Sequence, residues 1–309
     1  MEVSTNNLDK AAIGATRSTA GSSVGAWFRH GGVAMWRFAT RQPLGTLGLI
    51  ICVLAILAGV FGPFIAPYGL NEGNHLDRLQ APSTKHLLGT DEFGRDVFSR
   101  IVYGARISLY VAFFSIGIGV TTGYLIGIMS GYVGGRFDLV LQRVVDAMMA
   151  FPAILLALIM VAMLGPGLVQ VITAISIVSS PNAVRLARGT VLAVKENAYI
   201  DASRAIGASP IRIMLRHVLP NSMAPFLIIT SVALGGAILT EASLSYLGLG
   251  VPPPFPSWGK MLSGGAQEYG MIAPWMVIAP GLSIMLIVLG FNLFGDALRD
   301  ILDPRLRGR

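Results

Sequence analysis

The chain is short of charge. Only 13% of its 309 residues are Asp, Glu, Lys or Arg, where a soluble domain carries about 25%. Hydrophobic residues make up 53%, and mean hydropathy is +0.67. That balance excludes an ordinary soluble enzyme and describes an integral membrane protein. Cysteine is nearly absent as well. Cys52 stands alone in an apolar run, so an intrachain disulfide and a cysteine-based metal site are both excluded. The histidines His30, His75, His86 and His217 are scattered without a His-x-x-x-His spacing, which argues against zinc. His75 and His86 are expected to be solvated in a surface loop. No Gly-x-x-x-x-Gly-Lys-Ser/Thr cradle is present to hold phosphates, so the chain is not expected to hydrolyse ATP by itself. Nor is there a Ser/His/Asp set or an intramembrane aspartate pair of the kind membrane proteolysis uses.

What is present is apolar sequence in runs of membrane length. A helix rises about 1.5 Å per residue, so about 20 apolar residues cross the hydrocarbon. Residues 44–66 and 107–131 are such runs, without Asp, Glu, Lys or Arg. Residues 147–184 are also uncharged but too long for one crossing, and Gly165-Pro166-Gly167 divides them into spans at 147–164 and 168–184. Spans at 223–249 and 271–295 complete six. The preceding segment, 1–43, is polar, rich in Gly and Ser, and too long for the front of a typical cleaved signal peptide, so the first span reads as uncleaved. Its "WFRHGGVAMWRF" suggests an interfacial elbow helix with Trp27 and Trp36 at headgroup depth. With that tail inside, the inner segments hold 17 of the 23 Lys and Arg residues. The net charge of +7 then reads as orientation by basic inner loops rather than nucleic-acid binding, with both termini cytoplasmic.

One inner segment is unlike its surroundings. Residues 195–221, "KENAYIDASRAIGASPIRIMLRHVLPN", hold seven side chains able to bear charge. A helix ending at Ile206 is predicted, with Gly207 as the left-handed residue beyond it. Ser209-Pro210 then reads as an N-cap followed by proline at the first helical position. Ile211, Met214, Leu215 and Val218 predict one apolar face, opposite Arg212 and Arg216. On periodicity alone, an amphipathic helix at the lipid headgroups and a partner-docking element remain equally open.

Residue order separates them. Asp201-Ala202-Ser203, Gly207 and His217-Val218-Leu219-Pro220 resemble the Glu-Ala-Ala…Gly cytoplasmic loop of ABC-importer permeases, with Asp for Glu, Ser for the second Ala, and His where many members have Ile. Four further stretches are similar to the second permease subunit of dipeptide, oligopeptide and nickel importers. They are "LLGTDEFGRDVFSRIVYGARISL", "GYVGGRFD" with Arg143, Asp146 and Pro152 following, "EASLSYLGLGVPPPFPSWGKML" and "GDALRDILDPRLR". The resemblance implies an all-α membrane protein with six transmembrane helices, the type I ABC-importer permease fold and a cytoplasmic coupling helix in a bacterial inner membrane.

It also implies partners: a homologous second permease, two ATP-binding subunits that hold ATP and Mg, and an extracytoplasmic peptide-binding protein, with membrane lipid around them. This chain would hold no cofactor and take no part in bond-making. Tyr199, Asp201, Ala202, Ser203, Arg204, Gly207, Ala208 and Ser209 become the candidates for contact with the ATPase. Glu241, Ser245, Pro253 and Trp258 become candidates for the gate. Glu241 is the one acid or base of its kind in the six spans and falls about 27 Å along the fifth. It is read either as snorkelling to the outer interface or as lining an outer vestibule. The proline-rich loop 251–256 is a rigid connector or part of the surface that receives the binding protein. "LSGGAQ" at 262–267 resembles the ATPase signature Leu-Ser-Gly-Gly-Gln, but lies in an outer loop and is read as coincidence. Cargo stays open among dipeptide, longer peptide, glutathione, haem and nickel. A stand-alone channel or membrane enzyme is the competing class.

Overall fold

The computed structural model describes residues 39–302 except 41. The tail with Trp27 and Trp36, and the last seven residues, lie outside the described residues. Every regular element among the described residues is helical. The long helices are α1 (Pro43–Ile65), α2 (Val97–Val133), α3 (Gly135–Met149), α4 (Ala153–Leu164) and α5 (Leu168–Lys195). After the polar segment come α8 (Met223–Tyr246), the short α9 (Trp258–Gly264) and α10 (Trp275–Leu302). Within the segment itself lie α6 (Ala198–Ala205) and α7 (Pro210–Ile213).

The bundle is organised by α2, whose middle is buried on several sides: Val111, Ala112, Ile116, Val120 and Tyr124 are all at most 2% exposed. Its main partner is α5, and the contact is made by backbone. Gly119, Gly123, Gly127 and Gly131 lie at four-residue intervals on α2. A Cβ at each would meet the α5 backbone at Ser176, Ser180, Val184 and Arg188, at 2.3–3.0 Å from the carbonyl oxygen. Glycine at every fourth position lets two helices approach more closely than any side chain permits. The hydroxyl of Ser176 crosses the seam to the Ser115 carbonyl at 3.0 Å. On the far side, α1 rests on α10 through Gly48 and Gly290, with Cys52 buried between them.

The spans depart from the sequence expectation at three places. The third was expected over 147–164 as one crossing. Instead α3 and α4 meet at a 92° bend across Phe151-Pro152, because the residue before proline is pushed out of helical geometry. Alone, α4 is 12 residues, about 18 Å and too short to cross. The fourth was expected to end near Pro181, yet α5 continues to Lys195. Pro181 cannot donate to the Ile177 carbonyl, but Ser180 Oγ does, at 2.9 Å. Finally, four helices (α1, α2, α8, α10) are long and apolar enough to cross, five if the bent α3–α4 pair is one span. The expected span left out of that count is α5, which is more polar, with Gln170, Thr173, Ser176, Ser179, Ser180 and Asn182. The hairpin at Gly165-Pro166-Gly167 is present, Gly165 ending α4 at φ +86°.

Candidate functional site

The polar segment is two short helices turned by one glycine. Gly207 has φ +81°. Its N–H donates to the Arg204 carbonyl at 2.9 Å and that of Ala208 to the Ser203 carbonyl at 3.0 Å, the paired closure of a Schellman cap. Ser209 then caps α7, its Oγ accepting from the Arg212 N–H at 3.4 Å, with Pro210 in the first turn. Ile200, Ile213 and Val218 anchor this corner, each at most 1% exposed.

The other candidates spread over its surface. Asp201 is exposed and paired with Arg204 at 2.9 Å; Ala202 is exposed beside it. Ser203 Oγ donates to the Tyr199 carbonyl at 2.7 Å, and the Tyr199 ring lies 5.8 Å from that of His217. Ala208 packs against the core. At the root of the segment, Lys195 Nζ donates to the Gly131 and Tyr132 carbonyls at 3.3 and 3.0 Å, tying the end of α5 to the end of α2. Arg188 adds a two-pronged pair to Asp138 at 2.6 and 2.7 Å, so α3 is fixed to the same corner.

The expected apolar face is not the buried one. Ile211 and Leu215 are 65% and 62% exposed, while Ile213 and Val218 point inward. A π-helical turn at Met214–Val218 is the cause. It adds a residue to the turn, so positions five apart align. Outward-facing Ile211 and Leu215 join Ile206, 86% exposed, and Tyr199 in an apolar ridge beside charged side chains.

The gate candidates gather at the opposite end of α2 and α8, without forming one site. Glu241 neither snorkels nor lines a vestibule. It is fully buried, accepting from Ser108 Oγ at 2.9 Å and from Ser245 Oγ at 2.7 Å. A buried carboxylate needs such donors, and these hydroxyls join α8 to α2 inside the chain. Trp258 is also buried, its Nε1 donating to the Ile101 carbonyl at 3.0 Å and its ring against Gly104. Pro253 does face open space, on a cavity of about 580 Å³ between α2, α9 and loop 91–97, with Ser245 on its wall. Sequence reasoning passed over the cations of this cavity, Arg95, Arg100 and Lys260. It also misjudged His86, expected at a solvated surface. That ring is 3% exposed, stacked on Tyr68, with Nδ1 3.0 Å from Asp96 Oδ1. Asp96 in turn caps α2 through the Ser99 N–H at 2.8 Å.

The family model "Binding-protein-dependent transport system inner membrane component" matches residues 123–308, and "N-terminal TM domain of oligopeptide transport permease C" matches residues 33–82. The chain belongs to this permease family. The dipeptide transport system permease protein DppC of Alkalihalophilus pseudofirmus is 46% identical over 279 residues, 89% of this chain and 91% of that protein. A putative peptide transport system permease protein of Brucella suis is 43% identical over 84% of this chain and 88% of its own length. The glutathione transport system permease protein GsiD of Pectobacterium atrosepticum is 42% identical over 88% and 90%. Among solved structures, a chain of the inward-facing MetNI methionine ABC transporter superposes with TM-score 0.56 at 20% identity, covering 67% of this permease and 97% of that chain. The permease therefore has the ABC-importer fold and is a multi-pass membrane subunit of a transport system.

Proposed function

We propose that this permease forms half of a peptide pathway and is driven through residues 195–221. A homologous permease supplies the other half, two ATP-binding subunits bind ATP and Mg and hydrolyse the nucleotide, and a peptide-binding protein delivers cargo outside. Both termini lie inside. The carrying observation is the apolar ridge of Tyr199, Ile206, Ile211 and Leu215, exposed on a corner whose other face is locked into the bundle by Ile200, Ile213 and Val218. An exposed apolar patch rimmed by charge is the form of a protein–protein contact. Because Lys195 and Arg188 brace the corner to α2 and α3, a push on the ridge reaches the long helices rather than bending a loop. Peptide cargo is supported by relatives whose names specify dipeptide, peptide and glutathione transport.

The test is import by the reconstituted complex. Ile206→Asp places a charge on the ridge, and Gly207→Val forces a β-branched residue to φ > 0 at a position where nothing lies within 4 Å of the new Cβ, so the strain is in the backbone alone. Both should abolish uptake and uncouple ATP hydrolysis from loaded binding protein, with the subunit still inserted. Normal uptake by both variants would leave the segment an interfacial helix.

A further inference from the structure

The cavity of about 580 Å³ falls within the range of small-molecule sites, about 300–1,000 Å³. Its walls are mixed. Val97, Met261, Met276 and Phe255 supply apolar surface, and Arg95, Arg100 and Lys260 supply cations against Asp91 and Glu92. The charges are not matched pairwise. Asp91 is occupied: Oδ1 accepts from the Phe93 and Arg95 backbone N–H groups at 2.9 Å, and Oδ2 accepts from Arg95 Nε at 2.6 Å. Glu92 is 3.7 Å from the same Arg95. Arg100 has only a long 3.4 Å approach of Nε to Asp91, on a side chain 11% exposed, and its Nη1 is buried without a hydrogen-bond partner.

The nearby ammonium makes this more pointed. Lys260 is exposed and lines the cavity, and among the described residues no carboxylate pairs with its Nζ. Its pKa is pulled below the ordinary lysine value by burial first and by the positive Arg100 second. Two cations thus line one cavity near enough to repel each other, with Asp91 already claimed by Arg95. A buried guanidinium with one nitrogen left unbonded is a costly arrangement, and an incoming anion relieves both the missing hydrogen bond and the repulsion.

We infer that this cavity binds the C-terminal carboxylate of a short peptide between the Arg100 guanidinium and Lys260 Nζ, with the last side chain against Met261 and Met276. The inference rests on the peptide-import reading and specifies where that cargo meets this permease. The apolar walls favour an amphiphilic small molecule over a single acidic side chain of a docked protein, since a bare carboxylate would leave Met261, Met276 and Val97 uncovered.

The probe is a photoreactive dipeptide, alanyl-benzoylphenylalanine, applied to the purified importer complex without binding protein. Label should map to Met261 or Met276. Ala-Phe should compete, whereas Ala-Phe amide should not. Lys260→Gln, at an exposed position that the fold tolerates, should weaken that competition about tenfold, the worth of a charged hydrogen bond. Arg100→Gln should do at least as much. Equal competition by the amide, label elsewhere, or unchanged competition in both variants would overturn the inference. So would a loss confined to ATP hydrolysis stimulated by binding protein, which assigns the cations to an acidic side chain of that protein. Uptake of Ala-Phe into proteoliposomes by the wild-type complex is measured beside it. No uptake rejects the peptide reading itself, whereas uptake without carboxylate-dependent labelling rejects only this site.

Discussion

Gly117 and Gly119 stand two residues apart on α2, and alanine at each should have opposite effects. A Cβ at Gly119 would lie 2.3 Å from the Ser176 carbonyl oxygen and 2.7 Å from both Ser176 Cα and Ser179 Oγ, where ordinary contact begins at 3.4 Å. Two of the three obstacles are backbone atoms of α5 and cannot rotate away, so the helices must part by about 1 Å at this level. Parting at Gly119 also loosens the seam at Gly123 and Gly127, where the clearances are equally small. Overpacking of this kind costs about 1–3 kcal/mol. At Gly117 nothing lies within 4 Å of the new Cβ, so alanine is free of clash and gains about 0.5–1 kcal/mol from helix propensity. The two variants should therefore differ by about 2–4 kcal/mol. At about 2–4 °C per kcal/mol, Gly119→Ala should melt roughly 5–15 °C below Gly117→Ala. Cys52 is the chain's single thiol and is buried between α1 and α10. With cysteine-free partners, its reaction with a thiol dye on heating reports the transition. Equal melting of the two alanines, or Gly119→Ala melting as wild type does, would show that the α2–α5 contact is not made at van der Waals range.

Two further outcomes follow from burial. Glu241→Gln keeps an acceptor for Ser108 and Ser245 and should melt within a few degrees of wild type. Glu241→Leu strands both hydroxyls at about 1–3 kcal/mol and should melt clearly lower; a leucine variant as stable as wild type would mean those hydrogen bonds contribute nothing. Orientation is checked in a Cys52→Ser background with single cysteines at Met271 and Ile206, which are 98% and 86% exposed. An impermeant thiol reagent should reach Met271→Cys from outside and Ile206→Cys only from inside. Labelling of both from one face would reject the proposed topology.

The features legible in the sequence were those written locally. Gly207, Ser209-Pro210 and Gly165-Pro166-Gly167 act through their own φ angles and missing donors, so a few neighbouring residues suffice to place a corner, a cap or a hairpin. Pro152 and Pro181 show the limit of that reasoning. Both are prolines near an expected helix boundary, yet Pro152 bends the chain by 92° and Pro181 sits inside a continuous helix. The difference at Pro181 is a hydroxyl one residue earlier that satisfies the freed carbonyl. The π turn at Met214–Val218 likewise moved the buried face by a register no 3.6-residue count anticipates.

Features that depend on a distant partner were legible only as composition. The run 107–131 is plainly rich in glycine, but the spacing of Gly119, Gly123, Gly127 and Gly131 acquires meaning only from the α5 backbone lying against it. Glu241 was visible as an acid in an apolar span, and its depth allowed either a wet role or a snorkelling one. What decides between them is Ser108, 133 positions earlier in the chain, which together with Ser245 supplies donors enough to keep the carboxyl dry. Arg100 is the converse case. It lies in a motif shared by the resemblance and looks like one more basic residue of an outer loop, yet folding buries it beside a carboxylate already claimed by Arg95. Whether a charge in this permease is structural or available for binding is therefore settled by how many donors or acceptors the fold leaves over. By that count Glu241 is closed and Arg100 is open.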